Sequence, residues 1–173
     1  MKIDFTLDNG GPRLDHPLRT RSDVEKTSIL VPGHPNVAIV QQIVRLLKKE
    51  LMQRCPVLGF CGGPFTLATY IVEGKKTEDL EIIKALMSHD PDTLSLLLQK
   101  ITHSMIVYCQ AQIAAGADVI QVFDTWAGML SEADYRRWAL PYQKQLFASL
   151  KGRVPSILYA RAATGYLDAL KDS

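Results

Sequence analysis

Three short apolar runs along the chain are predicted to form strands of one parallel sheet. They cover residues 56–60, 118–123 and 153–159, and glycine, proline or charged residues flank each of them. Helical segments separate consecutive runs, and the segment between the first two is long, so hairpin pairing is not available to them. We therefore expect parallel strands joined by helices.

Apolar residues recur with helical spacing over residues 35–54. The spacing is i, i+3, i+4, i+7 and i+11, which describes one face of a helix. The residues on this face are Val40, Ile43, Val44, Leu47 and Leu51. The pattern predicts an outer helix that packs on the sheet.

Capping residues mark the boundaries of the other helices. Asp90 and Pro91 open the longest helix, which Gly116 ends. Thr77 is predicted to cap a shorter helix whose first turn contains the acidic residues Asp79 and Glu81. Further helices are expected from residue 131, over 138–151 and over 166–171.

The strand, loop and helix unit thus recurs three times, which is typical of an α/β fold of the (β/α)₈ TIM-barrel type. Eight units close a barrel, so three predict a partial one. We expect a single domain over residues 1–173, with a hairpin over 1–19 and the helix and β/α units over 35–173. Open sheet edges and uncovered inward-facing residues should make such a chain associate or be marginally stable.

Residues 1–19 are predicted to form a small β-ribbon. Apolar residues alternate at Ile3, Phe5 and Leu7, and Asp-Asn-Gly-Gly at 8–11 favours a hairpin turn. Three basic residues follow near a proline turn: Arg19, Arg21 and Lys26. They could meet an acidic ligand, but a solvated linker is the favoured interpretation.

The composition is that of a soluble globular protein, with 47% hydrophobic and 22% charged residues. A formal net charge of +2 is too small to favour nucleic acid as a partner. There is no apolar run of membrane-spanning length and no basic-then-apolar leader. We expect a cytoplasmic protein without a membrane or nucleic-acid partner.

The three cysteines, Cys55, Cys61 and Cys109, have neither the spacing of a metal site nor that of a disulfide framework. We interpret them as reduced and mostly buried. Cys61 alone is predicted to lie in the candidate site loop that follows the first strand. A reactive thiol there is the alternative, and a small packing residue is the favoured interpretation.

The loop Gly62-Gly63-Pro64 leads from the first strand into a helix, because proline suits the first helical turn. Such a loop lies at the carboxyl end of a parallel strand, where ligands bind in α/β folds. Its backbone N–H groups suit an anionic ligand. A tight turn that needs glycine conformations explains the same residues and is favoured.

The strand-end segments carry hydroxyl, carboxylate and cationic side chains, namely Tyr70, Asp124, Thr125, Trp126, Tyr159 and Arg161. No catalytic triad order, zinc-binding spacing or phosphate-binding Walker loop is present. Asp124 is expected to hold its own loop rather than act as an acid or base. This chemistry alone predicts a site for a small anionic or polar molecule.

Three ordered segments carry a resemblance to a known family. GFCGGPFTLATYIVEG at 59–74, FDTWAG at 123–128 and LYAR at 158–161 resemble uroporphyrinogen decarboxylase. The resemblance implies a (β/α)₈ barrel, usually a homodimer, that converts uroporphyrinogen to coproporphyrinogen by decarboxylating its acetate side chains. It implies no metal or organic cofactor, and a place in porphyrin and heme biosynthesis.

The resemblance also implies roles for four residues. Tyr70 matches the family's active-site tyrosine, Thr125 a hydroxyl residue that contacts a substrate carboxylate, and Phe60 an apolar residue of the cleft. Arg161 is a further substrate-binding candidate, although it replaces a more usual lysine. The family's catalytic aspartate, arginine-rich loop and histidine have no match in these residues, so we expect no decarboxylation by the 173 residues alone.

Two alternatives remain open. A corrinoid-linked methyltransferase shares the barrel but uses zinc, and no zinc-ligand pattern is seen here. A noncatalytic remnant that acts as an assembly module, completing a barrel with a second chain, is the other.

Overall fold

The computed structural model describes residues 5–8, 11–52, 54–77 and 79–173. The elements are β1 (Phe5–Asp8), β2 (Gly11–Leu14), α1 (Arg21–Lys26), α2 (Pro35–Leu51), β3 (Leu58–Gly62), α3 (Pro64–Glu73), α4 (Glu81–His89), α5 (Pro91–Ala114), β4 (Val119–Phe123), α6 (Glu132–Trp138), α7 (Leu140–Leu150), β5 (Ser156–Tyr159) and α8 (Leu167–Lys171). Two 3-10 turns, Thr125–Met129 and Ala163–Tyr166, follow β4 and β5.

The sheet confirms the predicted parallel strands. Its order is β3-β4-β5, with Phe60 opposite Gln121 and Gln121 opposite Ile157. Every crossover is helical, as parallel neighbours require. This is an α/β fold of the TIM-barrel type, present here as three consecutive parallel strands with helices on one side.

The boundaries of α5 follow from local chemistry, as predicted. The Asp90 side chain accepts a hydrogen bond from the Thr93 backbone N–H at 3.1 Å, and Pro91 stands at the first position. Gly116, with φ of 107°, takes the left-handed conformation after the end of the helix.

The predicted cap of α4 was wrong. The helix begins at Glu81, and its cap residue Leu80 makes no side-chain hydrogen bond to it. Glu73, at the end of α3, instead accepts from the backbone N–H groups of Ile82 and Ile83 at 3.0 Å each. Thr77 only accepts from the Asp79 N–H. A carboxylate near the first N–H groups of a helix is favourable for the same reasons as a local cap, because it satisfies orphan donors and complements the dipole.

The predicted inward face of α2 was only partly right. Val37 and Val44 are buried, but Ile43 and Leu47 are 51% and 43% exposed. The helix ends at Leu51, with Met52 in the left-handed conformation, rather than at residue 54. Ile39 and Leu46 are also exposed, so α2 has an apolar surface that no described element covers.

The predicted β-ribbon is present as the antiparallel pair β1-β2. Its predicted turn residues Asn9 and Gly10, and the predicted strand residue Ile3, lie outside the described residues. The linker interpretation of the next segment was wrong, because Arg21–Lys26 is a helix that Thr20 and Asp23 cap reciprocally. In this segment the Arg19 Nε donates to the Val72 carbonyl at 3.2 Å.

Two clusters of buried side chains hold the elements together. The cluster that we call the sheet core lies between the sheet and helices α2, α5 and α7, and includes Val44, Cys61, Cys109, Ile120, Val122 and Leu146. The cluster that we call the rim core lies beneath the strand-end loops and includes Phe65, Leu98, Trp126, Tyr135 and Tyr166. The rim core positions the candidate site.

Candidate active site

One face of the sheet carries a row of large exposed apolar side chains. Strand alternation directs them away from the helices, and they are Leu58, Phe60, Phe123, Ile157 and Tyr159. The Phe60 ring meets Phe123 edge-on with 6.1 Å between centroids, and Phe123 lies 5.9 Å from Tyr159. We call these three rings the aromatic row. It provides an exposed apolar surface built of edge-on and tilted rings.

The carboxyl ends of the strands are joined by backbone hydrogen bonds that continue beyond the strands. The Gly63 N–H donates to the Phe123 carbonyl, and the Asp124 N–H donates to the Tyr159 carbonyl, both at 2.8 Å. The loops after the three strands therefore start from one rigid edge. Side chains on them meet at one end of the sheet.

Asp124 lies at the centre of this edge and is fully buried. Its Oδ1 accepts from the Thr66 backbone N–H, and its Oδ2 accepts from Gln143 Nε2, both at 2.8 Å. The Gln143 Oε1 in turn accepts from the Tyr135 hydroxyl. Asp124 thus holds more than its own loop, because it also caps α3 across the sheet.

Burial raises the pKa of the Asp124 carboxyl, and hydrogen bonds from Gln143, Thr66 and the Phe65 backbone act in the opposite direction. Burial and the nearby Asp124 charge raise the pKa of Tyr135. The Tyr135 phenol therefore stays protonated and remains a hydrogen-bond donor to Gln143.

The same contacts decide between the two interpretations of the glycine loop. The N–H groups at the start of α3 already have protein acceptors: Gly63 bonds Phe123, Thr66 bonds Asp124, and Leu67 bonds the Gly63 carbonyl. The Asp124 carboxylate occupies the position that an anionic ligand would take. The anion-binding alternative was therefore wrong. The favoured interpretation was only partly right, because the loop is a tight turn from strand into helix, but Gly63 has φ of −69° and neither Gly62 nor Gly63 takes the left-handed conformation.

Tyr70 lies on α3, half-buried, and its ring meets that of Trp126 edge-on with 6.1 Å between centroids. Trp126 is fixed in turn, because its backbone N–H donates to Thr66 Oγ1 at 2.9 Å. Thr125 directly precedes Trp126 and is half-buried. Tyr70 and the Thr125 loop therefore form one packed unit.

The Arg161 loop packs against the same unit through its backbone. A Cβ added at Gly128 would overlap the Arg161 carbonyl oxygen and lie 2.6 Å from its carbon, so only glycine allows this approach. The Arg161 side chain is exposed. Contacts thus connect Tyr70, the Thr125 loop and the Arg161 loop. Phe60 is linked to them through its contact with Phe123, which lies two residues before Thr125 on the same segment.

Gln143 and Tyr135 are the site-supporting residues that sequence reasoning missed. They lie on α7 and α6, and both are fully buried. No motif marks them. A glutamine within the apolar face of a predicted helix was the one available signal, because a buried amide needs partners.

The cysteines behave as packing residues. Cys61 and Cys109 are buried with their sulfur atoms 3.4 Å apart, and the Cys109 hydrogen bond together with burial raises the pKa of the Cys61 thiol. A thiol kept protonated is a poor nucleophile, so the small-residue interpretation of Cys61 is confirmed. Cys55 is exposed rather than buried.

Within the described ranges, no group of three or more His, Cys, Asp or Glu side chains is arranged to hold a metal ion. No helix among these residues combines the length and apolarity needed to cross a bilayer.

The fold and the strand-end site define a protein of the (β/α)₈ class, with its candidate site at the carboxyl ends of parallel strands. The family model for uroporphyrinogen decarboxylase (URO-D) matches residues 1–173. The chain belongs to the uroporphyrinogen decarboxylase family.

Curated relatives agree with this assignment, and a solved structure shares the fold. The chain is 43% identical to the uroporphyrinogen decarboxylase of Geobacter sp. (strain M21), over 100% of this chain and 50% of the relative. It is 44% identical to that of Syntrophotalea carbinolica, over 91% of this chain and 46% of the relative. A methyltransferase from Methanosarcina mazei has the same fold, with a TM-score of 0.81 at 19% identity, over 99% of this chain and 50% of its own. The chain spans about half the length of the curated relatives it matches.

Proposed function

We propose that this chain is the central part of a uroporphyrinogen decarboxylase, a lyase of porphyrin and heme biosynthesis that works in the cytoplasm without a cofactor, as a homodimer. The observation that carries the proposal is the family match over all 173 residues, which includes the segments that hold the four candidate site residues. Decarboxylation itself is proposed for the complete barrel. The 173 residues alone lack a match to the family's catalytic aspartate, and we expect them to bind but not to react.

The aromatic row is proposed to contact the tetrapyrrole. Phe60 is 59% exposed beside Phe123 and Tyr159, so the three rings offer an apolar surface to a ligand. A large ring system gains from burial against such a surface. Uroporphyrinogen also carries carboxylates, and these need polar partners at the edge of that surface.

Thr125, Tyr70 and Arg161 are proposed to supply those partners. The Thr125 hydroxyl and the Arg161 guanidinium would bind substrate carboxylates, the first as a neutral donor and the second as a cation. Tyr70 is the proposed catalytic residue, whose hydroxyl donates a hydrogen bond to a reacting substrate carboxylate. Its packing against Trp126 supports this role, because a donor fixed before binding loses little conformational freedom.

The test uses the complete polypeptide and the substitution Tyr70→Phe. Conversion of uroporphyrinogen is followed by chromatography of the oxidised porphyrins. Loss of a hydrogen bond to a charged group predicts a fall in kcat of about tenfold or more. Tyr108→Phe is the matched control, because this half-buried tyrosine lies on α5 beside the sheet core and should leave kcat unchanged.

Two outcomes would contradict the proposal. A wild-type polypeptide that converts no uroporphyrinogen would end the decarboxylase assignment. Equal kcat values for Tyr70→Phe and Tyr108→Phe would remove Tyr70 from the reaction while leaving the assignment standing.

An assembly module is the second candidate, and the exposed sheet face favours it. Large apolar side chains on that face and on α2 have no cover among the described residues. Size-exclusion chromatography with light scattering on the 173 residues separates the candidates. A single dimeric species with cooperative unfolding supports assembly, and a monomer with non-cooperative unfolding or an aggregate opposes it.

A further inference from the structure

Three polar side chains form a continuous buried chain beneath the candidate site. Asp124 follows β4, Gln143 lies on α7 and Tyr135 on α6, and each has an exposed fraction of 0%. The hydrogen bonds run from the Tyr135 hydroxyl to Gln143 Oε1, and from Gln143 Nε2 to Asp124 Oδ2 at 2.8 Å. Buried polar groups of this kind stay in place only when all of them are satisfied. We call the three side chains the Asp124 chain.

The direction of each hydrogen bond is set by chemistry. The Asp124 carboxyl accepts from both Thr66 and Gln143, so Gln143 turns its NH₂ group to Asp124 and its carbonyl oxygen to Tyr135. Tyr135 must then be the donor. One arrangement of the amide satisfies the whole chain, and this arrangement fixes the Asp124 carboxylate in orientation as well as in place.

The Asp124 chain ends on the helix that carries Tyr70. Gly63, the cap residue of α3, has no side chain, and Asp124 takes over its role by accepting the Thr66 N–H at 2.8 Å. Thr66 Oγ1 then accepts the Trp126 N–H, and Trp126 packs on Tyr70. The fit is close, since a Cβ at Gly63 would lie 2.7 Å from the Asp124 Cα.

The Asp124 chain is also connected to Thr125, because Thr125 directly follows Asp124 in the chain. The start of α3 and the Thr125 loop are therefore joined at two points, Asp124 to Thr66 and Trp126 to Thr66. We propose that Asp124, oriented by Gln143 and Tyr135, is a positioning residue that sets the separation of the Tyr70 and Thr125 hydroxyls. The importance of this distance for catalysis rests on the proposed function. The effect of Asp124 on the distance does not.

A reciprocal exchange of the two side chains tests the inference. In Asp124→Asn the amide NH₂ faces that of Gln143, and if Gln143 turns over, the Tyr135 hydroxyl loses its acceptor. In Gln143→Glu two carboxylates face each other. The double variant Asp124→Asn/Gln143→Glu satisfies every group again. In it, the new amide at position 124 accepts from Thr66 and donates to the new carboxylate at position 143, which also accepts from Tyr135.

The first measurement does not depend on activity. Fluorotryptophan labelling of the complete polypeptide gives ¹⁹F signals that include those of Trp126 and Trp138, and Trp126→Phe identifies the Trp126 signal by its loss. Each single variant should shift or broaden the Trp126 signal, and the double variant should restore it. Gln145→Glu is the matched control, because Gln145 lies two residues along α7 and bonds His103 instead.

The second measurement is the split between kcat and KM for uroporphyrinogen. Misplacement of reacting groups by an ångström costs up to about a hundredfold, so the single variants should lose about tenfold to a hundredfold in kcat. KM should change little, and the double variant should recover kcat. If Asp124→Asn does not fold, Tyr135→Phe removes one hydrogen bond and should move both readouts in the same direction.

The outcomes separate this inference from the proposed function. An unchanged Trp126 signal in the single variants would overturn the inference, as would a folded double variant that restores neither signal nor kcat. A restored ¹⁹F signal in a protein without decarboxylase activity would keep the positioning role and overturn the proposed function instead.

Discussion

The two faces of the three-stranded sheet have similar apolar character but opposite surroundings. On the helix side, Cys61, Ile120 and Val122 are buried in the sheet core. On the other side, Phe60 and its neighbours of the aromatic row are exposed. Strands that are apolar on both faces are typical of parallel sheets covered on both sides. Apolar character therefore marks a face that suits a cover, and the described part of the chain covers only one of the two.

The β3 edge of the sheet is also covered in part, here at its backbone hydrogen-bonding groups. We predicted edge strands with unpaired backbone groups, and this was partly wrong for β3. The Gln112 side chain on α5 accepts from the Phe60 N–H and donates to the Phe60 carbonyl, both at 3.0 Å. These two backbone groups are therefore not available to another strand, because the Gln112 side chain makes the hydrogen bonds that a neighbouring strand would make.

The largest expected effect compares one substitution on the two faces. Ile120→Ala removes a fully buried side chain from the sheet core and should lower the free energy of unfolding by about 4 kcal/mol. Ile157→Ala, on the face where that side chain is 45% exposed, should cost about 1 kcal/mol. Urea unfolding of both variants provides the measurement. Equal losses would mean that the second face is covered in solution.

The next effect concerns the loops above the faces. In Gly128→Ala the new methyl group meets the backbone of Arg161, which cannot move as a side-chain end would, and we expect a loss of about 3 kcal/mol in urea unfolding. Gly165→Ala is the control, because a Cβ there meets no atom within 4 Å. A stability of Gly128→Ala equal to that of the control would argue against the packing of the two loops.

A smaller effect is expected at the protected part of β3. Gln112→Leu leaves the Phe60 N–H and carbonyl without partners, at a cost of about 2 kcal/mol by thermal unfolding. Self-association should also increase, because the strand edge becomes open. Gln110→Leu, two residues earlier on α5, is the control. A variant as stable and as monomeric as this control would show that Gln112 does not protect the strand.

Replacing an exposed ring should hardly change stability. Phe60→Ser is expected to cost less than about 1 kcal/mol, because the ring is already 59% exposed. Binding of the dye ANS should fall, since the aromatic row loses a member. Leu167→Ser, an exposed leucine outside the row, should leave dye binding nearly unchanged. Equal decreases in both variants would remove the row as the binding surface.

The smallest expected effect is the pH dependence of stability that comes from Asp118 and Asp124, the carboxyl groups before and after β4. Lys48 and the Val57 N–H hold the pKa of Asp118 below its ordinary value of 3.8, so its contribution to stability is present above this pH and is lost as the pH falls through the lowered pKa. Asp124, with its raised pKa, has the opposite dependence. The wild type should therefore lose its advantage over Asp118→Asn below about pH 4. An advantage that stays constant down to about pH 2 would refute the assignment.

Local patterns predicted the elements well where their causes are local. The strand runs, the Asp90-Pro91 start of α5 and the Gly116 stop are confirmed, because each depends on residues within a few positions. The Thr77 cap was wrong because a carboxylate nine residues before Ile82 replaces it. Periodicity found the apolar face of α2, but it does not tell which part of that face a neighbour covers.

The candidate site was predicted in part. The segments around Tyr70, Thr125 and Arg161 are brought to one edge, as parallel strands require. Their roles stay predictions. The Asp124 chain was not found, because Asp124 lies 58 residues from Thr66 and 19 residues from Gln143, and no spacing rule connects them.

The order of strands and helices, the parallel sheet and the family could all be predicted from the amino-acid sequence, because they follow from periodicity, capping residues and ordered motifs. The covered face of the sheet, the acceptors at the start of α3 and the hydrogen-bond partners of Asp124 became known only from the folded chain. These depend on contacts between residues far apart in the chain, and the free energy of a buried hydrogen bond or a packed side chain depends on partners that folding alone brings together.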